Sequence, residues 1–263
     1  MKGVTKVIAI IQARMGSTRL PNKVLMDLKG KTDLERVIDR VKKSKYINEV
    51  IVATTIAEHD LAIVKLCAEK GIRVFCGSED DVLDRYYQCA RLLSPEHVVR
   101  ITADCPMIDP KIIDKVISRH LESGADYTSN TLKTTFPDGL DTEIMKFCVL
   151  EEAWLNANLS SQREHVTQYI IHNDGYKKES VVNDIDYGNE RWTLDTDNDY
   201  KFIKCVYDAL YDKNPDFEMK DVLAFLDEHP DIRAINSDSE RNEGLAKSLM
   251  NDKVIELKTH IKR

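Results

Sequence analysis

Residues 6–23, KVIAIIQARMGSTRLPNK, carry much of what the sequence says about architecture. Val7 to Ile11 run without a polar interruption, as strands buried on both faces of a parallel sheet do. The run stops at Gln12 and Ala13, and a loop follows with Arg14, Arg19 and Lys23 around Gly16, Ser17 and Thr18. Such a loop offers backbone N–H groups, hydroxyls and fixed positive charge at a strand end, the donors a polyphosphate takes. It contains neither GxxxxGK[ST] nor GxGxxG, so it is not an ATPase P-loop or a dinucleotide fingerprint. A solvated basic loop is the competing reading.

Downstream, apolar strands alternate with amphipathic helices. TDLERVIDRVKKS follows with Leu34, Val37, Ile38 and Val41 at helical spacing, then EVIVATT, then EHDLAIVKLCAEKG closed by Gly71. IRVFCG, EDDVLDRYYQCARLLS, HVVRIT and DPKIIDKVISRHLESG repeat the scheme. Strands separated by helices of this length imply parallel βαβ crossovers, hence an α/β fold with a doubly wound, mostly parallel sheet. Residues 1–126 are expected to form a nucleotide-binding half. From about Tyr127 the rhythm gives way to irregular, partly extended chain with a Pro-Asp-Gly turn, and 127–190 is expected to be an insertion. REHVTQYIIHN is expected to be a helix, KKESVVND and RWTLD strands, and NDYKFIKCVYDALYD and MKDVLAFLDEHP helices. Residues 191–235 then form a closing segment, and 236–263 a charged helical tail on a single globular unit.

Composition narrows the function. With 263 residues, 42% of them hydrophobic, the chain can bury a full core, and its net charge of -7 argues against a general nucleic-acid binder. No stretch approaches the length of a membrane span, and the opening residues lack a signal-peptide core and cleavage site. The six cysteines form no C-x-x-C pair. A cytoplasmic protein with reduced cysteines, no zinc and no membrane partner is expected.

Two more polar clusters lie where ligands bind in open α/β sheets, at the carboxyl ends of strands. In RITADCPMIDP, Asp104 follows an apolar strand as a magnesium ligand or a turn aspartate, while Asp109 reads as an N-cap before Pro110. In RWTLDTDNDY, Asp195, Asp197 and Asp199 follow a strand. Three carboxylates this close call for solvation or a cation, although Asp197 or Asp199 can equally cap a helix. Asp104 and Asp195 are the favoured pair.

In combination, QARMGSTRLPNKVL, SEDDVLDRYYQCA, RITADCPMIDP, YTSNTL…PDGLDTEI, REHVT and RWTLDTDNDY resemble the cytidylyltransferases of the acylneuraminate and spore-coat-polysaccharide (SpsF-like) group. That group belongs to the nucleotide-diphospho-sugar transferase superfamily. The resemblance runs in family order from residue 7 to about 210. It implies magnesium-dependent attack of an acidic sugar's hydroxyl on the α-phosphate of CTP, with loss of pyrophosphate, by a homodimer. By the same resemblance Arg14, Ser17, Arg19 and Lys23 hold the triphosphate, with Arg14, Lys23, Asp104 and Asp195 catalytic. Asp104, Asp195 and Asp197 hold the metal. Gln12, Ala13, Arg100, Thr102 and Ala103 edge the nucleotide pocket with Gly16. Asn130, Lys133, Asp141, Glu143, Arg163 and His165 are candidates for the acceptor, and Asp138 reads as a turn residue first. His165 can equally be a satisfied structural histidine. Arg85, beside Asp81 and Asp84, reads as an ordinary helical ion pair. A glycosyltransferase with an Asp-x-Asp motif at 195–197 and a non-catalytic nucleotide-binding homologue are the rival functions.

Overall fold

The computed structural model describes residues 5–238, 241 and 243–256. Its centre is a seven-stranded sheet built from β1 (Val7–Gln12), β4 (Glu49–Thr55), β5 (Arg73–Gly77), β6 (His97–Thr102), β7 (Tyr127–Ser129), β8 (Glu143–Lys146) and β9 (Lys178–Ser180). The order is β5-β4-β1-β6-β8-β7-β9, and a two-stranded hairpin, β2 (Asp27–Leu28) and β3 (Lys31–Thr32), stands apart. β1 pairs in parallel with β4 and β6, β4 with β5, and β7 with β9, whereas β8 runs antiparallel to both neighbours. The sheet is therefore mostly parallel, as expected, and 127–190 supplies its last three strands.

Burial on both faces explains the unbroken apolar run of β1. Val7, Ala9 and Ile11 enter one core with Leu34, Val37, Ile38 and Val41 of α1 (Asp33–Val41), and Ile63 and Cys67 of α2 (Leu61–Glu69). Ile113 and Val116 of α4 (Pro110–Ser123) join them, with Phe202 and Val206 of α8 (Asp197–Leu210) and Leu226 of α9 (Met219–Glu228). Ile8 and Ile10 enter the opposite core with Leu83 and Tyr86 of α3 (Val82–Arg91), Leu150 of α5 (Phe147–Asn156) and Ile170 of α7 (Gln168–Ile171). The N-cap read from sequence is used, Asp109 capping α4 ahead of Pro110, and Thr32 and Glu35 form a capping box on α1. All six cysteines are free. Among the described residues no helix is long and apolar enough to cross a membrane.

Two expectations fail. REHVTQYIIHN is not one helix: α6 (Ser160–Glu164) ends, Val166 turns to φ +60°, and α7 begins two residues later. Val166 is fully buried there, so packing overrides the reluctance of a β-branched residue to enter the left-handed region. RWTLD is not a regular strand either. Only Arg191 makes a bridge, to Asp138, because the segment spends its hydrogen bonds on two different loops. Past α9, α10 (Pro230–Arg233) and α11 (Glu243–Met250) complete the described elements, the latter on α6.

Candidate active site

Backbone stitching brings the distant aspartates together. The Leu194 N–H donates to the Asp104 carbonyl at 2.8 Å and the Thr193 hydroxyl to the same oxygen at 3.2 Å. RWTLD is thereby laid along the loop after β6. On its other side the Trp192 N–H donates to the Asp138 carbonyl at 2.6 Å and the Asp138 N–H to the Glu190 carbonyl at 2.9 Å. Gly139, at φ +109°, is obligatory in that contact: a Cβ would lie 2.6 Å from the Trp192 carbonyl carbon.

Lys23 reaches into the junction. Asn22 takes φ +62°, a conformation asparagine tolerates better than most residues, and starts a short 3-10 turn over Lys23–Leu25. The Lys23 ammonium donates to Asp104 Oδ2 and Asp195 Oδ1, each at 2.7 Å. Burial alone would lower the Lys23 ammonium, but the two carboxylates raise it above its ordinary value. Burial likewise works to raise Asp104, yet the charge and hydrogen bonds of Lys23 and a hydrogen bond from Thr102 hold it down to about 2. The side chains stay partly open to solvent, at 11% for Lys23, 24% for Asp104 and 18% for Asp195, so a ligand can reach them.

The basic loop lies beside this cluster. Arg19 is half exposed and bridges Asp195 and Glu243, each at 3.0 Å. Arg14 is exposed and makes no hydrogen bond or ion pair among the described residues. It lies in the field of buried Arg85, a like charge that helps depress the Arg85 guanidinium after burial itself. The Ser17 N–H donates to the Met15 carbonyl, and its hydroxyl accepts from Leu20 N–H at 3.3 Å, so it tightens the loop. Gly16 is exposed, and a Cβ there would meet His59 and Glu79 only in ordinary contact. Asp60 pins the start of the loop, accepting from Met15 N–H at 2.7 Å and from the Thr55 hydroxyl.

The acceptor candidates divide into separate groups. Asp138 faces Arg191 at 3.3 Å, and Arg191 also meets Asp195 at 3.2 Å and Asp199 at 2.9 Å. Asp141 lies 2.6 Å from Arg241, and burial pushes its carboxyl up to about 7. Arg100 is paired with Glu143, which also accepts from the Tyr127 hydroxyl at 2.6 Å. Arg100 therefore sits with the acceptor candidates, not with the basic loop. Asn130 is buried and braces the turn, its amide donating to the Leu140 carbonyl and accepting from Thr142 N–H, both at 2.8 Å. Gln12 and Thr102 are opposite one another on β1 and β6, and Ala13 and Ala103 continue these strands into the site. The Gln12 Oε1 is buried without a hydrogen-bond partner among the described residues.

Other candidates are not brought to the cluster. Asp197 is the exposed first residue of α8, and the cap there is the reciprocal pair Thr196 and Asp199. Lys133 is exposed. His165 shares a 3.0 Å hydrogen bond with Ser248, and burial lowers its imidazole. Arg163 is spent on Asp81 and on the Trp154 carbonyl at 2.7 Å. Arg85 is not in the helical ion pair expected of it: it is buried, donates to the Ser78 carbonyl, and leaves Asp81 to Arg163. Asp60, Arg191 and Arg241 were not singled out from sequence. Nor was Asp33, wholly buried in the first turn of α1 with neither carboxylate oxygen hydrogen-bonded among the described residues. Burial and the Asp104 charge push it well above the usual carboxylate range.

The donor set fits a divalent cation. Asp104 and Asp195 are hard oxygen donors from separate segments, and both reach a single positive group. Among the described residues no group of three His, Cys, Asp or Glu side chains is arranged for a metal. Two carboxylates plus phosphate oxygens is the kind of set magnesium uses.

Comparison with known proteins identifies the family. A family model described as cytidylyltransferase matches residues 8–223. The chain is 41% identical over 88% of its length to 95% of an uncharacterised protein from Methanocaldococcus jannaschii. It is 33% identical over 86% of its length to 95% of the spore coat polysaccharide biosynthesis protein SpsF of Bacillus subtilis. A solved cytidylyltransferase from Leptospira borgpetersenii superposes with a TM-score of 0.83 at 32% identity, over 90% of this chain and 99% of that one. The chain belongs to the cytidylyltransferase family, a family of nucleotidyltransferase enzymes.

Proposed function

We propose that the chain transfers CMP from CTP to a hydroxyl of an acidic sugar or related polar acceptor, with magnesium, in surface-glycan or spore-coat polysaccharide biosynthesis. The observation that carries this reading is the convergence of Lys23, Asp104 and Asp195 at the mouth of the basic loop, beside an Arg14 that is unpaired among the described residues. Arg14, Arg19 and Lys23 bind and orient the triphosphate, with the backbone around Gly16 and Ser17, and Gln12 and Ala13 edge the nucleotide pocket. Asp104 and Asp195 hold the magnesium ion, which supplies charge neutralisation to the phosphates when bound. Asp138, Asp141 and Glu143, braced by Asn130 and Arg100, face the acceptor. The acceptor oxygen forms a bond to the α-phosphorus, the bond from that phosphorus to the α–β bridging oxygen breaks, and its electron pair leaves with pyrophosphate. The hydroxyl proton passes to solvent. Nucleotidyl transfer asks a protein for positioning and for charge complementary to the transition state, and the cations of the loop provide both.

A thermal-shift panel of CTP, UTP, ATP and GTP, with and without magnesium, tests this on wild type and Asp104→Ala. A ligand at 100 times its dissociation constant adds about 2.7 kcal/mol of stability. The expected result is a magnesium-dependent shift with CTP, reduced in Asp104→Ala, followed by pyrophosphate release once an acceptor is supplied. A flat panel would sink the triphosphate reading and return the glycosyltransferase alternative.

A further inference from the structure

The C-terminal part of the described chain reaches the acceptor side of the site. Arg241 lies 100 residues beyond Asp141, yet its Nη2 donates to Asp141 Oδ1 at 2.6 Å and its Nη1 to the Phe136 carbonyl at 3.1 Å. Residues 243–252 fix it in place. Glu243 pairs with Arg19, Ser248 donates to Glu164 at 2.8 Å, and the Asp252 carboxylate accepts from the hydroxyls and N–H at Ser160 and Ser161, capping α6. The segment thus clasps α6 and lays one guanidinium over the PDGLD turn.

That guanidinium is not saturated. Its Nε–H is buried and has no hydrogen-bond acceptor among the described residues, with the Asp138 carboxylate standing off at 3.8 Å. Asp138 is already engaged by Arg191. A buried charged donor without an acceptor is unfavourable, and its retention calls for a reason, of which a ligand that completes it is one. The planar fork of arginine matches a carboxylate better than a hydroxyl.

We propose that Arg241 binds the acceptor's carboxylate and so makes the site selective for acidic acceptors, a role supplied by the C-terminal segment. The proposal rests on the cytidylyltransferase reading above. The test loads the full-length protein with magnesium and α,β-methylene-CTP, which cannot release pyrophosphate. Thermal shifts are then measured with 3-deoxy-manno-octulosonate and N-acetylneuraminate, each as the free acid and as the methyl ester. In wild type at least one acid is expected to bind about tenfold more tightly than its ester. Arg241→Gln should lose that preference while keeping the shift from the nucleotide analogue alone, and Arg241→Lys should recover part of it. A wild type indifferent between acid and ester, or one that binds no acid in the panel, overturns the proposal. So does an Arg241→Gln variant that still prefers the acid. No shift with the nucleotide analogue in wild type would instead be a failure of the cytidylyltransferase reading.

Discussion

Lys23 between Asp104 and Asp195, and Arg163 against Asp81, are both buried cations meeting carboxylates from distant segments, and they differ in what is left over. Arg163 donates from Nε to both oxygens of Asp81, from Nη2 to Asp81 again, and from Nη1 to the Trp154 carbonyl, with 4% of its side chain exposed. The joint closes α6 onto the start of α3 and engages every nitrogen of the guanidinium, although Asp81 itself keeps 33% of its surface. Lys23 spends its bonds on two carboxylates that keep 24% and 18% of their surface. Next to it Arg19 is half exposed and Arg14 is unpaired among the described residues. An ion pair whose guanidinium nitrogens are all engaged holds a fold together, whereas one that stays open beside a half-exposed Arg19 and an Arg14 unpaired among the described residues is arranged for a ligand.

The largest effect expected from this contrast is on stability at the closed joint. Arg163→Ala removes a buried guanidinium with its four hydrogen bonds. Water reaches the one-third-exposed Asp81 left behind, so the cost falls below that of a fully buried pair, at about 2–3 kcal/mol. Urea denaturation should show that loss, while kcat of the folded fraction stays near wild type. The next effect is on turnover at the open cluster. Asp104→Asn keeps the shape of the side chain and removes its charge, and should lower kcat about 10²–10³-fold. Its stability should change by less than that of Arg163→Ala, because Lys23 retains Asp195. Were Asp104→Asn to unfold the protein as readily as Arg163→Ala, the two clusters would be the same kind of object and the site would lie elsewhere. A third effect falls on the turn that joins the two halves of the site. Gly139→Ala must push a Cβ into the Trp192 backbone at a left-handed φ, which places its cost at about 1–3 kcal/mol, measurable by thermal denaturation.

The first half of the chain was legible because its signals are local. β1 reads as doubly buried from five residues, the cap at Asp109 from its own neighbours, and the basic loop from its composition. Asp104 and Asp195 could be paired because each follows a strand or strand-like segment at the carboxyl edge of the sheet. The remainder depended on contacts between segments remote in the chain. Arg241 carries no motif, and only the clasp of the C-terminal segment on α6 delivers it to Asp141. Asp60 reads as an ordinary helix-start aspartate, and its bond to Met15 N–H is set by the packing of two loops. Arg163 and His165 are acceptor candidates because they stand in a family-like REH cluster. Neither the turn of the chain at Val166 nor the partners Asp81 and Ser248 can be read from residue spacing.

The smallest effect is at the opposite end of β6, where a polar cluster serves the fold alone. His97 begins the strand whose carboxyl end leads to Asp104, and its Nδ1 lies 3.0 Å from Nε2 of His120, whose Nδ1 is 2.9 Å from the Thr128 hydroxyl. Burial first, and then the neighbouring His97, bring the His120 imidazole down to about 3 from its ordinary 6.5. In the unfolded chain His120 takes up a proton below about 6.5, and in the native protein it does not until near 3. The unfolded state therefore binds more protons across that window, so stability is full above it and falls as pH drops through it, by up to about 1.4 kcal/mol per pH unit for one group. His120→Gln keeps a polar partner for Thr128 and removes the titration. The stability of wild type relative to this variant should therefore shrink by about 1.4 kcal/mol between pH 7.5 and pH 5.5. Turnover at neutral pH should match between the two proteins, since the pair lies at the far end of the strand from the basic loop. A stability difference that stays flat over that range would mean that the native protein protonates His120 as freely as the unfolded chain. The cluster would then be open to solvent in the way that sets the Lys23 site apart from the Arg163 joint.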